Sequence, residues 1–247
     1  YMKQLKEEGY EIEAVQNKGY CLKDVPDVLG ESEIKSRLHT RWAGQTLYYY
    51  DEIDSTNTQI KRLAEEDAPH GTLAVADYQS KGKGRRGHAW DSPHGSAIYM
   101  SILFRPDIRP DRASMLTLVI GLSVAQAIRS NLGVQAQIKW PNDIVLNGKK
   151  LVGILTEMST EVDYINYVVI GTGINVNQTE FPEEIRDKAT SLKLELGRSV
   201  KRSEVIQAVA ESFEEYYAVY EKTCDMSGLQ AAYNEMLANM DKEVCVL

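Results

Sequence analysis

The chain has 247 residues, of which 43% are apolar, enough to bury the core of one full-sized domain with smaller appended pieces. Its 28 lysines and arginines are outnumbered by 36 aspartates and glutamates, and the net charge of -8 argues against broad electrostatic binding to nucleic acid or to an anionic membrane. No apolar run approaches the roughly 18 residues that span a bilayer, and no basic-then-apolar leader opens the chain.

The cysteines indicate the expected compartment. Cys21, Cys224 and Cys245 are far apart and lie outside any C-x-x-C pattern, so they suggest neither a disulfide framework nor a zinc site. A reducing cytoplasm fits this usage best. The four histidines also lack a spacing typical of metal ligands, and no metal-binding residue is predicted.

The first 40 residues are expected to form a small unit of their own. Charged helix formers occupy 1–9, and a period-two alternation over 10–15 resumes at 20–22 after a turn at 17–19. This pattern predicts a helix followed by a β-hairpin. A linker over 25–30 and a short helix over 31–38 lead to a second unit, and the way the chain begins and ends suggests a fragment of a longer protein.

The second unit, from about residue 41 to 240, mixes strands and helices. Its consecutive, hairpin-linked strands favour an α+β fold over a strictly alternating parallel one. The turn pair Asn147–Gly148 lies between two apolar runs and favours a type I′ turn, because both residues tolerate positive φ. Strands are predicted over 47–53, 72–78, 97–104, 137–140, 143–146, 150–157 and 164–175, and helices over 54–67, 113–132, 202–222 and 227–239.

The most informative segment is a basic, glycine-rich loop between Gln79 and Trp90. It holds four cationic side chains and three glycines without an acid, a composition suited to receiving an anion. Glycine lets backbone N–H groups approach a ligand closely, and each charge-assisted hydrogen bond is worth roughly 1.5–3 kcal/mol. The residues of this pattern are Lys81, Gly82, Lys83, Gly84, Arg85, Arg86 and Gly87.

Two nucleotide fingerprints can be rejected for this loop. Its glycines satisfy G-x-G-x-x-G, but the following residues 90–95 are a poor start for the helix that a dinucleotide site requires. The Walker pattern fails because no Lys-Ser or Lys-Thr follows. Considered alone, the loop could equally be a solvated cationic segment, or a site for nucleic acid with Trp90 as a stacking platform.

A second informative segment runs over 139–157. Pro141 should end the preceding strand, and the hairpin that follows places Asn142 and Asp143 before one strand and Lys150 at the start of the next. On its own, a lysine in such a position is more often a solvated surface residue than a catalytic one.

Together, five segments resemble the biotin protein ligases in order and spacing. They are Asp54-Ser-Thr-Asn57, Gln79 with 82–87 and Trp90, Lys139-Trp-Pro-Asn-Asp143, Lys150-Leu-Val-Gly153 and Gly171-Thr-Gly-Ile-Asn175. The resemblance covers 46–240 and implies a mixed, largely antiparallel sheet with helices on one side, as in class II aminoacyl-tRNA synthetases. The early hairpin resembles the wing of a winged helix-turn-helix, which in this family marks the bifunctional group that also represses biotin genes. The resemblance thus implies a partial winged helix-turn-helix over 1–40, the catalytic domain over 41–240 and the start of an SH3-like β domain over 241–247.

The activity implied by the resemblance is ATP-dependent. Biotin is converted to biotinyl-5′-AMP with release of pyrophosphate, and is then passed to a lysine of a biotin carboxyl carrier protein, such as that of acetyl-CoA carboxylase. ATP, biotin and Mg²⁺ are the implied cofactors, with Mg²⁺ held mainly by phosphate oxygens. A homodimer is common in the family, operator DNA would be bound only by a longer parent chain, and no membrane is involved.

The resemblance also implies roles for individual residues. Ser55, Thr56 and Gln79 would hold the ureido ring of biotin, whose buried urea needs both donors and acceptors. The full biotin set is Ser55, Thr56, Asn57, Gln79, Lys83, Gly84, Arg85, Lys150 and Gly153. The nucleotide set is Gly82, Arg86, Gly87, Trp90, Asn142 and Asn175, and the catalytic set is Lys150, Arg85 and Asp143.

One position departs from the family pattern, and two other functions stay open. Lys83 stands where arginine is usual. The change is nearly silent if the position acts through its backbone N–H, which is the favoured interpretation, and it lowers affinity if the forked guanidinium is needed. One alternative is lipoate or octanoate transfer, to which a lysine at position 150 would also be suited. The other is a non-catalytic, biotin-sensing repressor. Of the histidines, His88 and His94 flank the loop but are expected to be solvated.

Overall fold

The computed structural model of the chain describes residues 10–15, 19–24 and 27–240, without the side chains of 22–24. The helix expected over 1–9, most of the turn over 17–19 and the strand expected over 241–247 fall wholly or largely outside these residues and stay predictions. The predicted hairpin is present as β1 (Glu11–Val15) and β2 (Gly19–Asp24), which pair antiparallel as a separate two-stranded sheet.

The main unit is built on one seven-stranded sheet with the order β3-β4-β5-β9-β8-β7-β6. Only the pair β3–β4 is parallel; the other neighbouring strands run antiparallel. The strands are β3 (Leu47–Ile53), β4 (Leu73–Gln79), β5 (Ala97–Phe104), β6 (Gln137–Lys139), β7 (Asp143–Leu146), β8 (Lys149–Thr160) and β9 (Ile165–Asn175). The helices are α1 (Glu31–Arg37), α2 (Thr56–Glu65), α3 (Leu116–Leu132), α4 (Leu192–Leu196), α5 (Arg202–Thr223) and α6 (Gln230–Met236), with short 3-10 turns at Arg85–Gly87 and Pro110–Met115.

The predicted α+β class with a mixed, largely antiparallel sheet is confirmed, and the layers can now be given in detail. The main core lies between one face of the sheet and the helices α3 and α5. Helix α2 covers the other face, where Ile60 and Leu63 pack with Leu103, so the expectation of helices on one side alone was wrong. Strand β5 is therefore buried on both faces, and its eight consecutive buried residues explain why its sequence is apolar apart from Ser101.

Helix α3 corrects one statement made from the sequence. The segment Pro110–Leu132 is long and apolar enough to cross a membrane by length and composition, with a mean hydropathy of 1.4, although no such run was expected. Of its apolar window, 61% is buried inside the protein, where α3 packs against α5 and the sheet. These contacts make it the central helix of the core.

Turns and helix ends follow local sequence in most places. Asn147 and Gly148 have φ of 51° and 78°, the positive values that the expected type I′ turn between β7 and β8 requires. The helix expected from 113 begins instead as a 3-10 turn and becomes α-helical at Leu116. Helix α4 was not predicted: it has five residues, too few for a periodicity, although the Ser191 hydroxyl accepts from the Leu194 N–H as an N-cap.

A buried arginine ties the residues before α1 to the main unit. Arg202, 3% exposed, forms ion pairs with Asp27 (2.8 Å) and Asp77 (2.5 Å) and also donates to the Ala97 carbonyl. Asp27 further accepts from the Asn177 side chain. Because two carboxylates and a carbonyl surround one guanidinium, the charge is buried with partners on several sides.

A second buried charge holds the entry to β3. Glu214, on α5, accepts hydrogen bonds from the backbone N–H groups of Arg41, Trp42 and Ala43. Burial opposes its ionisation, but these N–H groups outweigh the burial and hold the pKa of Glu214 below the ordinary value.

We expect Glu214→Gln to lower the free energy of unfolding by about 2 kcal/mol at neutral pH, because an amide group would face donors that now bind a carboxylate. Since the folded-state pKa is depressed, this contribution is present above the unfolded-state pKa and is lost as pH falls through the folded-state value. Urea unfolding at pH 7 and pH 4 measures it. The matched control is Glu215→Gln at the exposed neighbour, and equal effects of the two substitutions at pH 7 would contradict the assignment.

Candidate functional site

A cleft with about 460 Å³ of free space, including its open mouth, lies against the sheet beside the N-terminus of α2 and under the basic loop. Most of the predicted site residues line it, and those that do come from four separate segments of the chain. They are Ser55, Thr56, Asn57, Gln79, Lys83, Gly84, Arg85, Trp90, Asn142, Lys150 and Gly153. Sequence reasoning missed the strand residues that complete the lining, which are Tyr99, Met100, Ile154, Leu155, Gly171, Thr172 and Gly173.

Five predicted residues do not line this cleft. Asp143 forms an ion pair with Lys150, which does line the cleft. Gly82 lies at the base of the loop, where its carbonyl accepts from the Trp90 N–H. Arg86 and Gly87 border a hollow on the outer side of the loop. Asn175 is buried, and its side chain donates to the Thr190 carbonyl.

One end of the cleft is polar and uncharged. Ser55 is buried at the N-cap of α2, and its hydroxyl makes no capping bond to the helix. The Gln79 side-chain oxygen accepts from the Thr56 backbone N–H at 2.9 Å, and its NH₂ group donates to Ser92. The orientation of the Gln79 amide is therefore fixed, which gives this end a defined set of donors and acceptors.

Asn57 lines the cleft but is fully engaged by the protein. Its NH₂ group donates to the Leu155 carbonyl and to the Glu157 carboxylate, and its oxygen accepts from Ser101. A side chain at Gly171 would collide with it. Asn57 therefore joins α2 to β8, a role that its position beside Ser55 and Thr56 does not reveal.

The cleft also has an apolar wall. Gly153 and Gly173 lie directly opposite each other in the β8–β9 pair, and the indole ring of Trp90 packs on both. A Cβ at either position would collide with the ring. The two glycines thus provide room for Trp90 at the surface of the sheet. The sequence does not reveal this role, because the ring comes from a distant segment of the chain.

The other end of the cleft is cationic. The Lys150 ammonium is 2.8 Å from a carboxylate oxygen of Asp143 and 5.3 Å from the centre of a Trp90 ring. This Asp143 oxygen is buried and has no aligned hydrogen bond, so the ion pair with Lys150 is what compensates it. The Lys150 backbone is held in place by Lys188 and Thr190.

The basic loop closes on itself and reaches across the mouth. The Trp90 N–H donates to Gly82 and the Gly84 N–H donates to His88, with a 3-10 turn between them. The Arg85 guanidinium donates to the Asn142 side-chain oxygen at 2.8 Å, while the Asn142 NH₂ group donates to a β8 carbonyl. Both of the loop's side-chain links to the walls, from Arg85 and from Lys83 to Thr58, are exposed to solvent.

The positions of the histidines and carboxylates indicate whether the described residues could bind a metal ion. Among residues 10–15, 19–24 and 27–240, no group of three or more His, Cys, Asp or Glu side chains could hold a metal ion. His70 packs in the aromatic core beside Trp42, and burial lowers its pKa. His94 stacks on Tyr78 and lies 3.3 Å from Asp77.

Comparison with known proteins gives one consistent result. Residues 49–175 match the biotin/lipoate A/B protein ligase family. The bifunctional ligase/repressor BirA of Bacillus subtilis (strain 168) is 47% identical over 222 residues, which cover 89% of this chain and 68% of that protein. BirA of Escherichia coli (strain K12) is 31% identical over 223 residues, covering 87% and 68%.

Comparison with solved structures leads to the same group of proteins. The biotin protein ligase from Aquifex aeolicus in complex with biotin and ATP has a TM-score of 0.68 and 34% identity, covering 79% of each chain. The biotin protein ligase from Leishmania major in complex with biotin has a TM-score of 0.66 at 21% identity, covering 82% of this chain and 85% of that one, and so supports the fold alone.

We expect Gly173→Ala to displace Trp90 from the sheet and to lower the free energy of unfolding by about 1–3 kcal/mol, because the added methyl group overpacks the wall. Urea unfolding gives the stability, and acrylamide quenching of tryptophan fluorescence, measured with Trp42 and Trp140 replaced by phenylalanine, reports the exposure of Trp90. The control is Gly121→Ala, where a new Cβ meets only Ile154 at 3.8 Å and where alanine favours the helix. Unchanged quenching in Gly173→Ala would show that Trp90 does not depend on this glycine.

Proposed function

The chain belongs to the biotin/lipoate A/B protein ligase family, and on that basis we propose that it activates biotin with ATP and transfers the biotin to a lysine of a carrier protein. The observation that carries the proposal is a single cleft lined both by uncharged polar groups and by the cationic side chains of Lys150 and Arg85, with Trp90 beside Lys150. Such a cleft suits a ligand with a neutral polar ring at one end and a carboxylate at the other.

The polar end is assigned to the ureido ring. A cyclic urea carries one strong acceptor and two N–H donors, and all three need partners when the ring is buried. Ser55, Thr56 and Gln79 supply both kinds of group within a few ångströms of one another. Lys83 and Gly84 complete the biotin site through their backbone, because the Lys83 ammonium is turned toward Thr58 on α2.

The cationic end is assigned to the activation step. A carboxylate oxygen of biotin attacks the α-phosphorus of ATP, one P–O bond forms, and the bond to pyrophosphate breaks. Negative charge that gathers on the α-phosphate is stabilised by Lys150 and Arg85, and Asp143 orients the Lys150 ammonium. Mg²⁺ would be held mainly by the phosphate oxygens of ATP. The described residues contain no cluster of metal-ligating side chains, and the Asp143 carboxylate is paired with Lys150.

The basic loop is assigned the role of a lid. The mixed anhydride hydrolyses readily, so water must be excluded until the ε-amine of the acceptor lysine attacks the carbonyl carbon and AMP departs. The exposed bond between Arg85 and Asn142 can hold the loop closed and can break without leaving a buried group unpaired. The acceptor we propose is the biotin carboxyl carrier domain of a carboxylase, in the cytoplasm.

Lipoate transfer is the main competing activity within the same family. The dithiolane ring of lipoate has no N–H or carbonyl group, so it would leave the polar end of the cleft without partners at a cost of roughly 1–3 kcal/mol per group. The polar network around Gln79 therefore favours biotin.

Repression is the second activity in the names of the BirA relatives. We do not extend it to the described residues, since the net charge is -8 and operator recognition needs an element that enters a groove of DNA.

Incubation with Mg²⁺ and ATP labelled at the α-phosphate tests the proposed function. Biotin should yield labelled biotinyl-adenylate, and lipoate should yield far less. Label that appears only with lipoate would favour the competing activity, and no label with either would contradict ligase activity.

We expect Lys150→Ala to lower kcat/KM for adenylate formation about 10²- to 10³-fold, because a positioned cation is lost from the transition state. The free energy of unfolding should also fall, because the buried Asp143 oxygen loses the ammonium that compensates it, so adenylate formation is compared under conditions where urea unfolding shows the variant to be folded. Lys149→Ala, at the exposed neighbour, is the control. A Lys150→Ala enzyme as active as the parent would eliminate the assigned role.

We expect Arg85→Gly to release biotinyl-adenylate about tenfold faster, because a charge-assisted bond worth roughly 1.5 kcal/mol no longer holds the lid. Free adenylate would then label lysines of a bystander protein, which a streptavidin blot measures. Arg109→Gly, which removes an exposed arginine paired with Asp111, serves as the control. Bystander labelling equal to that of the parent would argue against the lid.

A further inference from the structure

A buried serine lies between the polar end of the cleft and the end of the basic loop. Ser92 is 4% exposed, and its hydroxyl oxygen is 3.1 Å from the Gln79 side-chain nitrogen and 3.0 Å from the Trp90 carbonyl oxygen. Ser92 does not itself line the cleft, whereas Gln79 and Trp90 do. Any effect of the Ser92 hydroxyl on a ligand must therefore pass through one of these two neighbours.

The hydrogen bonds around Ser92 can run in one direction only. The Thr56 backbone N–H can only donate, and its nitrogen lies 2.9 Å from one end of the Gln79 amide, so that end is the oxygen. The Thr56 hydroxyl, 3.1 Å away, donates to the same oxygen. The NH₂ end of Gln79 therefore donates to Ser92, and Ser92 gives its single hydrogen to the Trp90 carbonyl, which can only accept.

These bonds hold both ends of the Gln79 amide. The terminal torsion of a glutamine side chain has broad preferences, so an amide bound at its oxygen alone could still turn. The bond to Ser92 holds the nitrogen as well and fixes the plane of the amide. Of the two hydrogens on that nitrogen, Ser92 receives one, and the other has no acceptor among the described residues. Because Gln79 lines the cleft, this second N–H is available to an acceptor on a ligand.

The bond between Gln79 and Ser92 is covered by the basic loop. A Cβ at Gly82 would collide with the Ser92 hydroxyl and lie 3.2 Å from the Gln79 nitrogen, so the backbone of the loop packs directly against both groups. An N–H group that loses its partner in such a place is not readily compensated by solvent. Replacement of the hydroxyl should therefore disturb the Gln79 amide measurably.

Trp90, in contrast, does not depend on Ser92 for its position. Its ring packs on two strand glycines, and its N–H donates to the Gly82 carbonyl. If the Ser92 hydroxyl were removed, Trp90 would keep these contacts, whereas the nitrogen end of Gln79 would lose its partner. The main effect of Ser92 on the cleft is therefore expected through Gln79.

We propose that Ser92 is a positioning residue that holds one N–H of Gln79 in place to donate to the ring carbonyl of the ligand. The inference rests on the proposed function, since it concerns recognition of the ureido ring. It assigns the selection of an oxygen at the ring carbonyl to Gln79 and Ser92 together. Sulfur is a weaker hydrogen-bond acceptor than oxygen, so 2-thiobiotin, in which sulfur replaces that oxygen, should gain less from the positioned N–H.

The experiment measures the dissociation constants of biotin and 2-thiobiotin by calorimetry. The parent protein should bind biotin about tenfold more tightly than 2-thiobiotin. In Ser92→Ala the Gln79 N–H is no longer held, so the dissociation constant of biotin should rise about tenfold and the ratio between the two ligands should fall about fivefold. KM for ATP and kcat for adenylate formation at saturating biotin should stay near the parent values, because Ser92 forms no hydrogen bond with Lys150 or Arg85.

Three further variants separate positioning from packing. Ser123→Ala is the matched control, because Ser123 is also buried but donates within α3, and it should keep the parent ratio. Ser92→Cys fills the same space with a poor acceptor and should lower the ratio as well, which decides the matter if urea unfolding shows Ser92→Ala to be unfolded. Gln79→Met removes the donor itself, and adding Ser92→Ala to it should change the ratio no further.

The outcomes are distinct. A parent protein that makes adenylate from biotin, combined with folded Ser92 variants that keep the parent ratio, would overturn the inference and leave the proposed function intact. Equal affinity of the parent for the two ligands, or an equal fall of the ratio in Ser123→Ala, would do the same. A parent that neither binds biotin nor makes adenylate would overturn both. A ratio that falls in the Ser92 variants and is kept in Ser123→Ala would establish Ser92 as a residue that determines specificity for the ring.

Discussion

The packing of the Trp90 indole ring on Gly153 and Gly173 is the contact on which the cleft depends. Two paired strands leave a bare patch of backbone, and a side chain from the loop fills it. The ring anchors one end of the basic loop to the sheet and lies 5.3 Å from the Lys150 ammonium.

The two ends use opposite means of holding their side chains. At the polar end, neutral groups hold one another in a chain of hydrogen bonds that finishes at the ionised Glu157. At the cationic end, Lys150 is held by Asp143 and lies near an aromatic ring. Preorganised groups of both kinds need little rearrangement when a ligand arrives, which is the property that lowers a barrier in transfer chemistry.

The sequence predicted those features that depend on neighbouring residues. The β7–β8 turn follows from Asn147–Gly148, and the strand pattern and α+β class follow from periodicity and spacing. The lining of the cleft was also largely predicted, but from an ordered resemblance rather than from geometry. Features that depend on contacts across the fold could not be predicted. Ser101 is a single polar residue in an otherwise apolar strand, and the spacing of the sequence does not reveal the contact between Asn57 and Glu157.

The buried pair of Arg202 and Asp27 has a mechanical consequence. Asp27 is bound to Arg202 in the first turn of α5. The Arg202 guanidinium also forms an ion pair with Asp77, which lies two residues before Gln79 on β4. Only residues 25 and 26 separate β2 from this anchor, and a chain advances roughly 3.8 Å per residue. The hairpin is thus closely tethered to Asp27, and a force on the chain at the hairpin would act through Asp27 and Arg202 on the strand that carries Gln79.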